Sequence, residues 1–266
     1  MLQELQNYTV TGSVGSALQQ FAGRDYTLAE LEAYFTAAKV ISYYRFGAEA
    51  ALGIDEKDAY NYTLGADAKK PSNGVGIMGT NFAISFDGGD YATNATKFGD
   101  MTTTFSGAGK GLIHSFWLSA PDDGQPVGAG TLFYKYNTAA NDYYICQITT
   151  AGAIRVLTNG GTTAFDLAAS IVLPNGANTN WYHIVNAWNT TRGYAMFVNG
   201  RREAQAPTAT TLMVDGNTTG FYIGGVDTTP TNPFIGKIAN EAVINDVCTQ
   251  EMVDFLYATK IGRAHV

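Results

Sequence analysis

Apolar positions along this chain recur with two different periods, and the change from one to the other falls near Val40. Before it, Leu28, Leu31, Phe35 and Ala38 lie at helical spacing. They follow Thr27-Leu-Ala-Glu30, a capping box in which hydroxyl and carboxylate each satisfy a free backbone N–H. The spacing predicts a helix over 28–39 that packs on the following domain or on a neighbouring subunit. After Val40 the period is two. In LIHSFWLSA, Ile113, Ser115 and Trp117 fall on one side and Leu112, His114, Phe116 and Leu118 on the other. VISYYRF, FAISFDGGDYA, TLFYKYN, DYYICQITT, AIRVLTN, FDLAASIVL, WYHIVNAWN, FYIGGV and FIGKIANEAVIN read as further strands, punctuated by Gly, Asn and Asp. YAMFVNGRREAQA reads as a strand, an Asn199-Gly200 turn supplying the positive φ of a type I′ hairpin, and a second strand. Thr249 caps a closing helix with Met252, Phe255 and Leu256 on one face. Many strands with a short helix at each end predict an all-β fold, a two-sheet antiparallel sandwich.

Composition narrows this picture. Apolar residues make up 45% of the 266, enough to fill a core between two sheets, while charged residues are only 15%. The net charge of −7 leaves no cationic surplus to neutralise phosphates, which argues against nucleic acid. No apolar run is long enough to span a bilayer, and MLQELQNYTVTG lacks the basic and apolar regions of a secretory signal. Of the two cysteines, Cys146 in the apolar run YYICQI reads as a small buried hydrophobe, and whether it pairs with Cys248 is left open. The final IGRAHV, residues 261–266, matches the translation of a short-read sequencing adapter and is set aside, His265 included. The organisation expected is a polar, partly helical segment over 1–39, a sandwich over 40–260 and a sequencing artefact over 261–266.

Three segments carry a family resemblance. Ile84-Ser-Phe-Asp-Gly-Gly-Asp-Tyr91 looks like an early strand pair with a Phe-Asp-Gly turn. Trp181-Tyr-His-Ile-Val185 followed by Tyr194-Ala-Met-Phe-Val-Asn-Gly200 is similar to a central hairpin. Phe221-Tyr-Ile-Gly-Gly225, Phe234-Ile-Gly-Lys-Ile238 and Phe255-Leu-Tyr257 resemble a closing signature. In this order they resemble the laminin-G-like, concanavalin A-like jelly rolls. The resemblance implies two curved antiparallel sheets, on a scaffold that hosts lectins, adhesins, hydrolases and spacers alike.

Candidate chemistry is weighed against that background. Glycoside hydrolases of the fold carry an E-x-D-x-x-E triplet for acid and nucleophile work, and none occurs here. The nearest acid cluster, Asp55-Glu-Lys-Asp58, reads as a solvated turn, and His114 and His183 read as structural strand residues. The resemblance implies a Ca²⁺ site between the loop after the first strand and an acidic pair on the closing strand. The matching positions are Asp58, Asn61, Asn240 and Glu241, with Asn240 standing where the family has Asp. Sugar stacking is expected of exposed aromatic faces, for which Tyr134, Tyr136, Tyr143 and Trp188 are candidates, joined by loop carboxylates Asp122, Asp123 and Asp227. The reading is a non-catalytic recognition module for a glycan or protein ligand. Its expected place is extracellular or on a virion, as a phage tail-fibre or capsid-decoration domain or a bacterial surface protein. The rival reading is a structural virion domain that self-associates, and a hydrolase is the remoter alternative.

Overall fold

A computed structural model describes residues 26–47, 51–66, 70–74, 76, 83–96, 101–120, 129–137, 142–160, 163–173, 180–206, 220–228 and 231–258. In chain order its elements are α1 (Leu28–Phe35), β1 (Val40–Tyr44), β2 (Thr63–Leu64), β3 (Ser72–Gly74), β4 (Ala83–Asp87), β5 (Ala92–Asn94) and α2 (Met101–Phe105). Then follow β6 (Leu112–Ser119), β7 (Gly130–Asn137), β8 (Asp142–Ile148), β9 (Ala153–Gly160), β10 (Thr163–Val172), β11 (Tyr182–Asn189), β12 (Gly193–Val198) and β13 (Arg201–Ala206). β14 (Phe221–Ile223), β15 (Ile235–Asn245) and α3 (Gln250–Ala258) close the chain. The strands form two antiparallel sheets. One runs β13-β12-β11-β6-β15-β4-β3, with β1 also on β15, and the other runs β10-β9-β8-β7-β14-β5-β2.

The alternation predicted for β6 is realised. Leu112, Phe116 and Leu118 face the other sheet and join a core with Phe133, Tyr144, Cys146, Ile184 and Trp188, while Ile113 and Trp117 face outward. Asn199 and Gly200 take φ of 50° and 78°, the pair of left-handed residues that a type I′ turn needs. The capping box on α1 is present, with Thr27 N donating to Glu30 Oε2 at 2.8 Å and Glu30 N donating to Thr27 Oγ1 at 3.3 Å. The helix ends at Phe35, four residues before the predicted end, because Thr36 turns to φ 70°. The short elements β2, β3 and α2 carry too few residues for a period and went unpredicted. Cys146 and Cys248 are both free thiols.

Most outward-facing residues of β6, β11, β12 and β15 are covered, Ala195 of β12 staying partly exposed. Ile113, Val185, Phe197 and Ile244 are covered by Tyr26, Leu31 and Phe35 from the α1 region and by Val253, Phe255 and Leu256 of α3. The two helices meet over the sheet, where Tyr34 and Phe255 stack at 3.9 Å with planes 6° apart. Tyr34 is only half-buried, so Tyr34→Ala should cost about 1–2 kcal/mol of stability, read as a shifted urea midpoint at unchanged slope. Among the described residues, no helix is long and apolar enough to cross a membrane.

Candidate functional site

One sheet is covered by helices over the middle of its outer side, and the other presents tyrosines there. Residues opposite one another on antiparallel strands point to the same face. Thr93 pairs with Tyr222, Tyr222 with Tyr134, Tyr134 with Ile145, Ile145 with Leu157, and Leu157 with Asp166. This row crosses six strands, about 24 Å at the usual strand spacing. Beside it Tyr136 pairs with Tyr143. Their neighbours in sequence, Phe133, Tyr144, Cys146, Phe221 and Ile223, fill the core, so strand alternation sends the four tyrosines outward, where each is partly exposed. Tyr134 and Tyr136 stack at 6.0 Å, and Tyr134 lies tilted against Tyr222 at 6.5 Å.

The electrostatics keep the Tyr134 phenol protonated. The Tyr134 hydroxyl is pushed up to about 12, chiefly by burial and then by Tyr136, Asp227 and Tyr222. Asp227 is thus within reach of Tyr134 through its charge, and its Oδ2 accepts from Thr231 Oγ1 at 3.4 Å. At the far end of the row Arg155 donates from Nε to Asp166 Oδ1 at 2.6 Å and from Nη2 to Oδ2, and this pair holds Asp166 below the usual carboxylate range. Three of the sequence candidates, Tyr134, Tyr136 and Tyr143, thus meet on one face, and Asp227 lies within coulombic reach of Tyr134. Tyr222 belongs with them and was missed. The signal was available, since it alternates with the core residues Phe221 and Ile223. Asp122 and Asp123 lie outside the described residues.

Trp188 requires a correction. It is 1% exposed and packs between the sheets, in phase with Ile184 on β11, so its ring offers no face to a sugar.

The four residues considered for Ca²⁺ do not assemble a ligand set. Asn61 Nδ2 donates to Asp58 Oδ1 at 2.9 Å and its Oδ1 accepts from Asp55 N at 2.8 Å, which closes a turn in the loop. Asn240 takes φ 47°, and the pairing of β15 with β6 slips between Ala239 and Ala242. Two residues there oppose one, a bulge that Asn tolerates because its short side chain accepts the left-handed region. The slip turns Glu241 into the core, where it is 0% exposed. Its carboxylate accepts from Tyr62 Oη at 2.9 and 3.1 Å and lies 3.3 Å from His114 Nε2. Among the described residues no three His, Cys, Asp or Glu side chains gather as metal ligands.

Other chemistry-bearing groups are likewise engaged in holding the fold. Asp55, 1% exposed, accepts backbone N–H from Tyr43, Lys57, Ala59 and Tyr60 at 2.8–3.3 Å and braces its loop. Ser115 Oγ and His183 Nε2 lie 2.9 Å apart, but at 0% and 1% exposure the pair cannot reach a substrate.

The profile of the concanavalin A-like lectin/glucanases superfamily, laminin-G type, matches residues 80–254. The chain belongs to that superfamily. Among solved structures, this concanavalin A-like chain resembles domain 4 of AbnA, an extracellular arabinanase of family GH43 from Geobacillus stearothermophilus, in complex with arabinotriose. The TM-score is 0.60 at 16% identity, over 82% of this chain and 98% of that one. It also resembles the binding domain of Paraclostridial Mosquitocidal Protein 1 (TM-score 0.61, 13% identity, 83% and 51% covered). A third is the botulinum neurotoxin serotype D ligand binding domain in complex with N-acetylneuraminic acid (0.60, 11%, 82% and 50%). The chain spans about half the length of the two toxin domains. At these identities the likeness is one of fold. Among curated proteins no sequence matches it.

Proposed function

We propose that the chain is a non-catalytic binding module that holds a saccharide on the Tyr222–Tyr134–Tyr136–Tyr143 face. The observation that carries this reading is the asymmetry of the sandwich. The outer side of one sheet is closed by α1 and α3, while the other keeps four partly exposed tyrosines and a carboxylate together. Tyrosine faces pack on the C–H side of sugar rings, and phenol and carboxylate oxygens take up sugar hydroxyls. The arabinotriose in the structure of the arabinanase domain and the N-acetylneuraminic acid in that of the toxin domain support a glycan as the ligand class. The extracellular setting of the arabinanase supports a place outside the cell.

Titration calorimetry against arabinotriose, after a glycan-array survey, tests the reading. Saturable binding should weaken roughly tenfold in Tyr134→Ala and in Tyr222→Ala, about 1.4 kcal/mol each, near the upper end for an aromatic contact. An array without a saturable ligand, together with concentration-dependent self-association, would instead favour the structural virion role.

A further inference from the structure

We infer that a second site, on the rim formed by the β11–β12 turn, β13 and the start of α3, takes an acidic saccharide. Two depressions of about 140 and 380 Å³ share Asn189 and Arg192 as a common wall. The larger alone falls within the usual range for small-ligand sites, roughly 300–1,000 Å³, and the smaller adjoins it. Arg192 and Arg202 border the smaller and Lys110 the larger. Among the described residues no Asp or Glu lines either one, in a chain with 23 acidic and 16 basic residues. A local surplus of cations in an acidic chain is a directed field, because like charges raise one another's energy unless an anion is there to share.

The rim is held firmly enough to be a site. Asn189 Oδ1 accepts from Thr191 N and Arg192 N at 2.9 Å each, which locks the turn. Arg192 Nη1 donates to Cys248 O at 3.1 Å, tying that turn to the segment before α3 and leaving its other guanidinium N–H groups to face a ligand. A Cβ at Gly111 would come within 2.7 Å of Asp246 O and Trp188 O, so the three segments approach as closely as backbone allows. Two carboxylates on the adjoining segments pair with other cations, and a third is held by a neutral amide. Asp246 pairs with Lys39 at 2.7 Å, Asp254 accepts from Gln250 Nε2 at 2.8 Å, and Glu203 lies 3.8 Å from Arg201. The Arg202 and Lys110 side chains have no ion pair among the described residues. Phe197, Ala187 and Ala195 give the smaller depression an apolar floor. An apolar lining shared with two guanidinium groups suits a sugar ring bearing a carboxylate, with Thr190, Thr191 and Gln205 as hydroxyl partners. A bare inorganic anion would use the cations and leave the floor idle.

The inference is independent of the tyrosine face, and each reading fails on its own variant. Trigalacturonic acid, neutral galactotriose and sodium sulfate are titrated into the full chain, followed by NMR shifts at low and high salt. The trigalacturonate should bind, weaken at least tenfold in the Lys110→Gln/Arg202→Gln double variant, and weaken with added salt as exposed ion contacts do. Galactotriose should leave the rim resonances unmoved. No trigalacturonate binding, or binding that the double variant leaves unchanged, overturns the proposal. Sulfate binding as tightly as trigalacturonate also overturns it and makes the rim a free-anion site. Since Lys110 and Arg202 are exposed, the variant should keep the parent's unfolding midpoint, and Arg192→Lys provides a second variant that keeps the charge but removes the fork.

Discussion

Glu241→Ala should lower the unfolding free energy by roughly 3–5 kcal/mol, the usual loss when one member of a buried hydrogen-bonded charge cluster is removed. The reason is what the carboxylate leaves behind. Tyr62 Oη and His114 Nε2 both turn toward it, and both sit in the core between the sheets. His114 Nδ1 lies 2.9 Å from Tyr144 Oη, which accepts from Asn186 Nδ2 at 3.4 Å, so the cluster continues from β15 through β6 to β8 and β11. Burial drives the Tyr62 hydroxyl far above its ordinary range, and the Glu241 charge adds to that, so the phenol stays a donor. Glu241→Gln should be milder, because the amide oxygen still accepts from Tyr62 and the volume is kept. Removing Glu241 and His114 together should cost less than the two single losses summed, since neither then orphans the other. Chemical denaturation of the four proteins measures this. A loss below 1 kcal/mol for Glu241→Ala would mean that water replaces the carboxylate.

That cluster also marks where sequence stopped being legible. Strand parity in LIHSFWLS, the left-handed pair Asn199-Gly200 and the Thr27–Glu30 box are local rules, and the structure follows them. Even the position of Trp188 obeys one, because it alternates in phase with Ile184 and Asn186 toward the interior. Strand parity, not aromatic type, decides whether such a ring faces solvent. Glu241 is different. Simple alternation from Ile238 would put Asn240 inside and Glu241 out, and only the bulge at Asn240 reverses them. The bulge lets one strand serve β6 on one side and β4 and then β1 on the other, so it leaves little trace in the residues that form it. The tyrosine face lay between these cases. Tyr134 and Tyr136 point outward by parity within one strand, but their meeting with Tyr143, Tyr222 and Asp227 depends on strand order in the sheet.

Acid should destabilise the fold through His183, and the sign follows from its burial. The imidazole is 1% exposed, lies against Trp117 at 5.0 Å and Tyr257 at 5.8 Å, and meets one hydroxyl, that of Ser115. Burial lowers its pKa from 6.5 to about 3. Above pH 6.5 the ring is neutral in both folded and unfolded chains, and its contribution is fully present. Between 6.5 and about 3 the unfolded chain binds a proton that the folded chain refuses, so stability falls with pH by up to about 1.4 kcal/mol per unit. From pH 7 to pH 4 the His183 share of the loss is roughly 3–4 kcal/mol. Asp90 works against it. Burial, with some help from Asp87, pushes its carboxyl up to about 6, so the folded chain takes that proton first and gains as pH drops toward 3.8. The parent's total slope therefore mixes opposite signs, and the informative quantity is the difference from His183→Gln, which keeps a polar partner for Ser115 but cannot titrate. Urea midpoints at pH 7, 5.5 and 4 should converge between parent and variant as the pH falls. Parallel profiles would mean that His183 is protonated inside the fold, with water or a rearranged Tyr257 admitting the charge.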